Sequence, residues 1–218
     1  MYGAIIYQKS PVVIRHLEAM IGENGLRDGL REYLTRHAFG NAAWTDLIGI
    51  LEPRAPIDLK AWSRVWVEQP GRPMLSTQLV IRNGKVGALS FRQADPRGRG
   101  LHWPQRLHMA FGGVDDLRFF DAEMVGDRVA LPQADGLPAP RYVLPSGGGW
   151  AYGDFKLDRA SLAYLLGELP RIEDPLTRAS AWVTLWDGLL AGRVQPARFV
   201  DLALRALPRE NDEPKNRT

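Results

Sequence analysis

Cysteine is absent from the 218 residues. That excludes a disulfide framework and any thiolate-ligated zinc site. No run of eighteen or more apolar residues occurs, so there is no candidate for a membrane-spanning helix. Histidine is scarce, with four residues, and no two of them stand in the His-Glu-x-x-His spacing that puts two zinc ligands on one helix face. The Gly-x-Ser-x-Gly nucleophile elbow is missing. The glycine-rich "PSGGGWAYG" at 145–153 lacks the Lys-Ser/Thr pair of a phosphate loop and reads as a flexible or tightly turned linker. Net charge is only +3, and the basic residues are scattered among acids, densest in the loop-like "DPRGRG" at 95–100. A nucleic-acid footprint needs clustering, so nucleic acid is not an expected partner.

What is present is enough apolar residue, 45%, to bury a core, with seven tryptophans as packing anchors. The first third has helical periodicity. Val13, Leu17, Met20 and Ile21 form one stripe that halts at Gly22, and Leu26, Leu30, Tyr33 and Leu34 form a second that stops near Gly40. Thr45 is a candidate cap for a third helix carrying Leu47, Ile48 and Leu51, ended by Pro53. Asp58 is a candidate cap for a fourth, with Leu59, Trp62 and Trp66 inside. After "QPGRP" at 69–73 the pattern changes to alternation: Leu75, Thr77, Leu79 and Ile81 share a face, and "RNGK" carries the Asn-Gly hairpin signal. "VGALSFRQ", "QRLHMAFG", "LRFFDAEMVG" and "DRVALP" continue it, which predicts a small antiparallel β-sandwich. Helices then return. Asp158 caps one with Leu162, Leu165, Leu166 and Leu169. Asp174-Pro175 starts a second, lined by Ala179, Trp182, Val183, Trp186, Leu189 and Leu190, and Pro196 starts a third through Phe199, Leu202 and Leu207.

Few residues offer chemistry. His102 and His108 fall on one predicted strand, on one face but too far apart for one ion, and read as partly exposed sandwich residues. His16 and His37 read as helix-surface or interface residues. Tyr2 and Tyr7 stand just before the first helix, and a tyrosine hydroxyl can donate to a developing oxyanion without changing charge at neutral pH. From composition alone, two tyrosines on the rim of a helical core is the simpler reading.

The run from Tyr7 to Leu47 nevertheless resembles the aminopeptidase N-like zinc metallopeptidases, the family that includes leukotriene hydrolase. It carries Tyr7-x-Lys9, then Gly22-Glu23, Tyr33, Asn41-Ala42 and Asp46-Leu47 in the family's order, and Trp66, Gln69, Gly71 and Pro73 match its Trp-x-x-Gln-x-Gly-x-Pro. The resemblance implies an α+β multidomain fold: residues 1–72 as the helical C-terminal part of a thermolysin-like catalytic domain, 73–153 as a small antiparallel β-sandwich, and 154–218 as the first helices of a C-terminal helical domain. It implies that Tyr7 stabilises an oxyanion and that Tyr2 matches a second tyrosine found five positions earlier in some members. Lys9 is given a structural role.

Ser10 departs from the motif glycine, and "GWAYGDF" offers no arginine where many members have one. The zinc motif, its downstream glutamate and the amine-binding Gly-x-Met-Glu-Asn motif would all precede Tyr7 in the family. The expectation is therefore a fragment of a zinc aminopeptidase, inactive alone, with no metal or cofactor ligands of its own. Zinc and the peptide substrate belong to the full-length parent. The alternative is a non-catalytic interaction or assembly module, with self-association through the face left by the missing catalytic half. Localisation stays unknown, because the natural N-terminus is expected upstream.

Overall fold

The structure is a computed structural model that describes residues 9–113 and 116–210. Contacts divide the chain into two units, Met1–Gly71 and Arg72–Thr218.

In the first unit, α1 (Ser10–Arg36) is two helical stretches joined end to end at a kink, where Gly22 takes the non-helical φ 77° and ψ 156°. That region is open to glycine and costly for other residues, so the first stripe halts at Gly22 as expected. Pro11 sits in the first turn, where its missing N–H costs nothing. Helix α2 (Trp44–Leu51) is entered from Ala43, not Thr45: the Asp46 carboxylate accepts from the Ala43 N–H at 2.8 Å, one side of a capping box. Helix α3 (Leu59–Ser63) has its expected cap, Asp58 accepting from the Ala61 N–H at 2.8 Å, and runs into a π-helical turn (Arg64–Glu68). Leu17, Leu51, Leu59, Trp62 and Trp66 are fully buried, with the two indoles stacked at 5.7 Å. Gly29 is where α1 meets α2; a Cβ there would collide with Leu51. Leu34, expected inside, faces solvent.

The second unit opens on β1 (Met74–Arg82) and β2 (Lys85–Ala94), antiparallel across a turn in which Asn83 and Gly84 both have positive φ, as the Asn-Gly signal requires. A bulge at Val80/Ile81 breaks the alternation, and Ile81 is exposed rather than on the core face. With β3 (Gln105–Gly112), β4 (Leu117–Met124), β5 (Arg128–Ala130), β6 (Tyr142–Leu144) and β7 (Asp154–Lys156), these strands form two sheets, in the orders β5-β2-β1-β7 and β4-β3-β6. Leu75, Leu89, Phe91, Leu107, Met109 and Val143 fill the space between them. The sandwich is not wholly antiparallel: β7 pairs with β1 in parallel, and it falls in the stretch where helix was expected to resume.

Alternate residues of β3 and β6 serve a second core on the other face of the three-stranded sheet. There Ala110, Tyr142 and Leu144 meet Leu165, Ala181, Leu185 and Leu202 from α4 (Arg159–Glu168), α5 (Pro175–Leu190) and α6 (Pro196–Ala206), with Leu169 from the turn after α4. Asp158 and Asp174 cap α4 and α5 as expected, accepting from the Ser161 N–H at 3.1 Å and the Thr177 N–H at 2.7 Å. The phase of α5 differs from expectation. Thr177, Ala181, Thr184, Leu185 and Gly188 are buried, while Val183, Trp186 and Leu190 are 63%, 50% and 69% exposed. The glycine-rich segment explains this. It is tightly turned, the second of its two expected forms, and the turn is buried, with the Gly148 N–H donating to the His108 carbonyl at 2.9 Å. Thr177 donates to the Gly147 carbonyl and Ser146 shares a hydrogen bond with Thr184, so small side chains let α5 lie close to the turn.

Candidate functional site

The first helix begins one residue after Lys9, so the Tyr7-x-Lys9 segment leads directly into α1. Tyr2 and Tyr7 lie outside the described residues. What the structure places is the helix that follows Lys9. Val13, His16 and Leu17 are buried on one face of α1, and the His16 ring packs against Trp66 at 5.2 Å. His16 is therefore buried where α1 meets the turn that carries Trp66, the second of its two expected placements, because it follows Val13 at i+3 on the inward face. Burial pushes the half-buried Lys9 ammonium below the ordinary lysine value, since desolvation disfavours its charge. His37 caps the end of α1, its ring 5.2 Å from that of Tyr33.

The remaining histidines do not meet. His102 lies in the loop before β3 rather than on the strand. His108, partly exposed as expected, shares a 2.7 Å hydrogen bond between Nδ1 and the Asp121 carboxylate and stacks on Phe119 at 4.7 Å. Arg106 donates to the same carboxylate at 3.0 Å. Desolvation opposes the charge of Asp121, but the hydrogen bonds from Arg106 and His108 outweigh it and hold the carboxyl below its ordinary value. This is an ion-pair network on a sheet face with no nucleophile attached. Among the described residues no three His, Asp or Glu side chains gather into a metal site. These residues do not fit a catalytic zinc, which needs three protein ligands.

Sequence reading missed two further groups. Gln93 and Gln105 are buried, and each substitutes for a backbone unit. Gln93 accepts from the Trp103 N–H and donates to the Gly126 carbonyl, and Gln105 does the same with both backbone groups of Tyr152. Nothing in an alternating strand pattern marks a glutamine as inward. The second group is the tyrosine pair Tyr142 and Tyr164, whose rings stack at 5.4 Å beside a cavity in the second unit. They are remote in sequence, and only the packing of α4 on β6 joins them.

Comparison with known proteins bears on the first unit most directly. The peptidase family M1 domain matches residues 1–66. Aminopeptidase N of Streptomyces lividans is 31% identical over 224 aligned residues, which cover 97% of this chain and 26% of that protein. Aminopeptidase N of Lactobacillus delbrueckii subsp. lactis is 28% identical over 50% of this chain. Tricorn protease-interacting factor F2 of Thermoplasma acidophilum is 30% identical over 48% of it. The chain thus spans about a quarter of the length of the first relative and matches 13% of each of the other two. The M1 match falls on the helices that follow Lys9, and the similarity to the first of these relatives runs through both units, so the comparisons support a relationship to the aminopeptidase N-like family.

Proposed function

We propose that the chain is part of a zinc-dependent aminopeptidase that hydrolyses N-terminal residues from peptides, and that Tyr7 is the side chain it contributes to the chemistry. The observation that carries this reading is the peptidase family M1 match over residues 1–66, which contains Tyr7-x-Lys9 and the helix behind it. A tyrosine hydroxyl in that position donates to the oxyanion as the scissile carbonyl becomes tetrahedral. Such a donor acts only as charge develops, so it raises kcat more than it tightens substrate binding. Tyr2 is the second candidate, five residues earlier. Lys9, half-buried beside the helix start, holds the segment in place. Zinc, when bound, would supply the Lewis acid for this chemistry, and none of the described residues would hold it.

In the same reading, residues 1–72 form the helical end of a thermolysin-like catalytic domain, 73–153 the β-sandwich, and 154–218 the start of a helical domain. The division of contacts after Gly71 supports the first boundary. The strands between Met74 and Leu144, and the helices after Asp158, support the order.

The test is a chimera in which this chain replaces the aligned segment of the Streptomyces lividans aminopeptidase N. The chimera should retain zinc and aminopeptidase activity, and Tyr7→Phe should lower kcat by roughly 100- to 1,000-fold with zinc content unchanged. A folded, zinc-loaded chimera whose kcat is indifferent to Tyr7→Phe would remove Tyr7 from the mechanism. The isolated chain should bind no stoichiometric zinc and turn over no aminoacyl substrate; one tightly held zinc per chain in elemental analysis would refute that.

A non-catalytic interaction module is the second reading. It is favoured by the exposed Val183, Trp186 and Leu190 on α5 and the exposed Leu34 and Phe39. Light scattering separates a self-associating chain from a monomer.

A further inference from the structure

The second unit contains a cavity of about 330 Å³ whose wall includes Tyr142, Tyr164, Asp116, Arg171, Glu173 and Asp174. Tyr142 comes from β6, pairs in register with Gly112 of β3, and is 2% exposed. Its ring occupies the space a side chain at Gly112 would need: a Cβ there would lie 2.6 Å from the hydroxyl oxygen and closer still to the ring. The neighbouring Gly113 lines the cavity, so the tip of the ring stands at its wall. Among the described residues the Tyr142 hydroxyl has no hydrogen-bond partner. The hydroxyl is not among the buried unpaired polar atoms of the described residues, so it opens onto the cavity and can bond what enters it.

The charge around that hydroxyl selects what can answer. Three carboxylates face one guanidinium. Arg171 is already engaged by Glu168 at 3.0 Å, and Asp116 by Arg118 at 2.8 Å. Asp174 uses one oxygen to cap α5. The Glu173 backbone carbonyl accepts from Arg178 at 3.2 Å, and among the described residues no ion pair engages its exposed carboxylate. Burial, with the nearby Tyr164 and Asp174, pushes the Tyr142 phenol up to about 12, so it stays neutral and protonated at physiological pH. The cavity therefore combines a neutral hydroxyl, an aromatic pair and excess negative charge. Carboxylates answer the charge of a cation, and an aromatic face adds to it.

We propose that this cavity binds an organic cation, the guanidinium or ammonium group of a peptide side chain or of a free amine. Glu173 and Asp174 provide the countercharge, Tyr142 the hydroxyl acceptor and Tyr164 the aromatic wall. The site is distinct from the Tyr7 segment and does not depend on the peptidase reading.

Ligand-observed NMR titration of the full chain tests it with three probes: N-acetyl-arginine amide, agmatine and the uncharged isostere N-acetyl-citrulline amide. The two cations should saturate and the citrulline compound should not. Glu173→Gln and Tyr142→Phe should each weaken cation binding by about fivefold or more, with melting temperature unchanged. Tighter binding of the arginine amide than of agmatine would assign the site to a peptide side chain, and the reverse to a free amine. Absence of saturable cation binding, equal binding of the citrulline compound, or the same affinity in Glu173→Gln as in the parent would overturn the proposal. Glu173 is exposed, so its variant remains informative even if Tyr142→Phe perturbs the core.

Discussion

Asp95 folds a loop around a single carboxylate. Its two oxygens accept from the backbone N–H groups of Arg97 and Arg99 and from the Arg99 guanidinium, all between 2.8 and 3.1 Å. The guanidinium outweighs the cost of desolvation and, with the backbone donors, holds the carboxyl far below the ordinary aspartate value of 3.8. A depressed folded pKa contributes stability that is complete above the unfolded value and is lost as pH falls through the folded one. Asp95→Asn should therefore be less stable than the parent at neutral pH, and the gap in urea midpoint should narrow by about pH 2.5. A gap that stays constant over that range would mean the loop's charge does not contribute. Gly147 makes a steric argument at the same scale. A Cβ there would stand 2.7 Å from the Ala110 backbone nitrogen, and a strand backbone cannot move aside. Gly147→Ala should cost about 1–3 kcal/mol in denaturant unfolding. Gly126→Ala, where nothing lies within 4 Å, should fall within roughly 0.5 kcal/mol of the parent.

Elements show where sequence reasoning works and where it loses the phase. Asp58, Asp158 and Asp174 each cap the helix predicted for them, because a cap is a local hydrogen bond written in neighbouring residues. The Asn83-Gly84 turn was legible for the same reason: its two positive φ angles are a property of the dipeptide. Helix α5 was legible as a helix but not in its orientation. It is apolar on nearly every side, so periodicity cannot choose a face, and large residues are a misleading guide. The choice is made by close approach to the turn at Ser146 and Gly147, which admits Thr177, Ala181, Thr184 and Gly188 and turns Val183 and Trp186 outward. That turn lies some thirty residues away in sequence, and no local pattern reports it. Substitution separates the two phases. Leu185→Ala should cost about 2–5 kcal/mol, as a fully buried leucine does. Leu190→Ala should stay within roughly 0.5 kcal/mol of the parent. A large loss at Leu190 with little at Leu185 would restore the phase read from the sequence.

At the scale of the molecule, the order helices, strands, helices was readable from the change of hydrophobic period, because each period reflects one element type over many residues. The candidate site was readable only by resemblance: one tyrosine before a helix has no periodicity to distinguish it. What no local pattern conveyed is which apolar residues remain outside. Leu176, Val183, Trp186 and Leu190 repeat along one side of α5, and Val200 and Leu204 on α6, with Leu207 in the turn after it, repeat at i, i+4 and i+7; all are exposed. Both stripes belong to helices whose opposite faces are already committed to the core with Leu185 and Leu202, so rotating either helix inward would expose that core instead. The stripes are therefore a permanent property of the folded second unit and not a sign of loose packing. An apolar-surface dye should fluoresce with the native chain, and Val183→Lys with Leu190→Lys should lower that signal while leaving the melting temperature in place, since two exposed side chains contribute little to folding. A signal unchanged by the double substitution would place the accessible apolar surface elsewhere, and a lowered melting temperature would mean that the α5 stripe is buried after all.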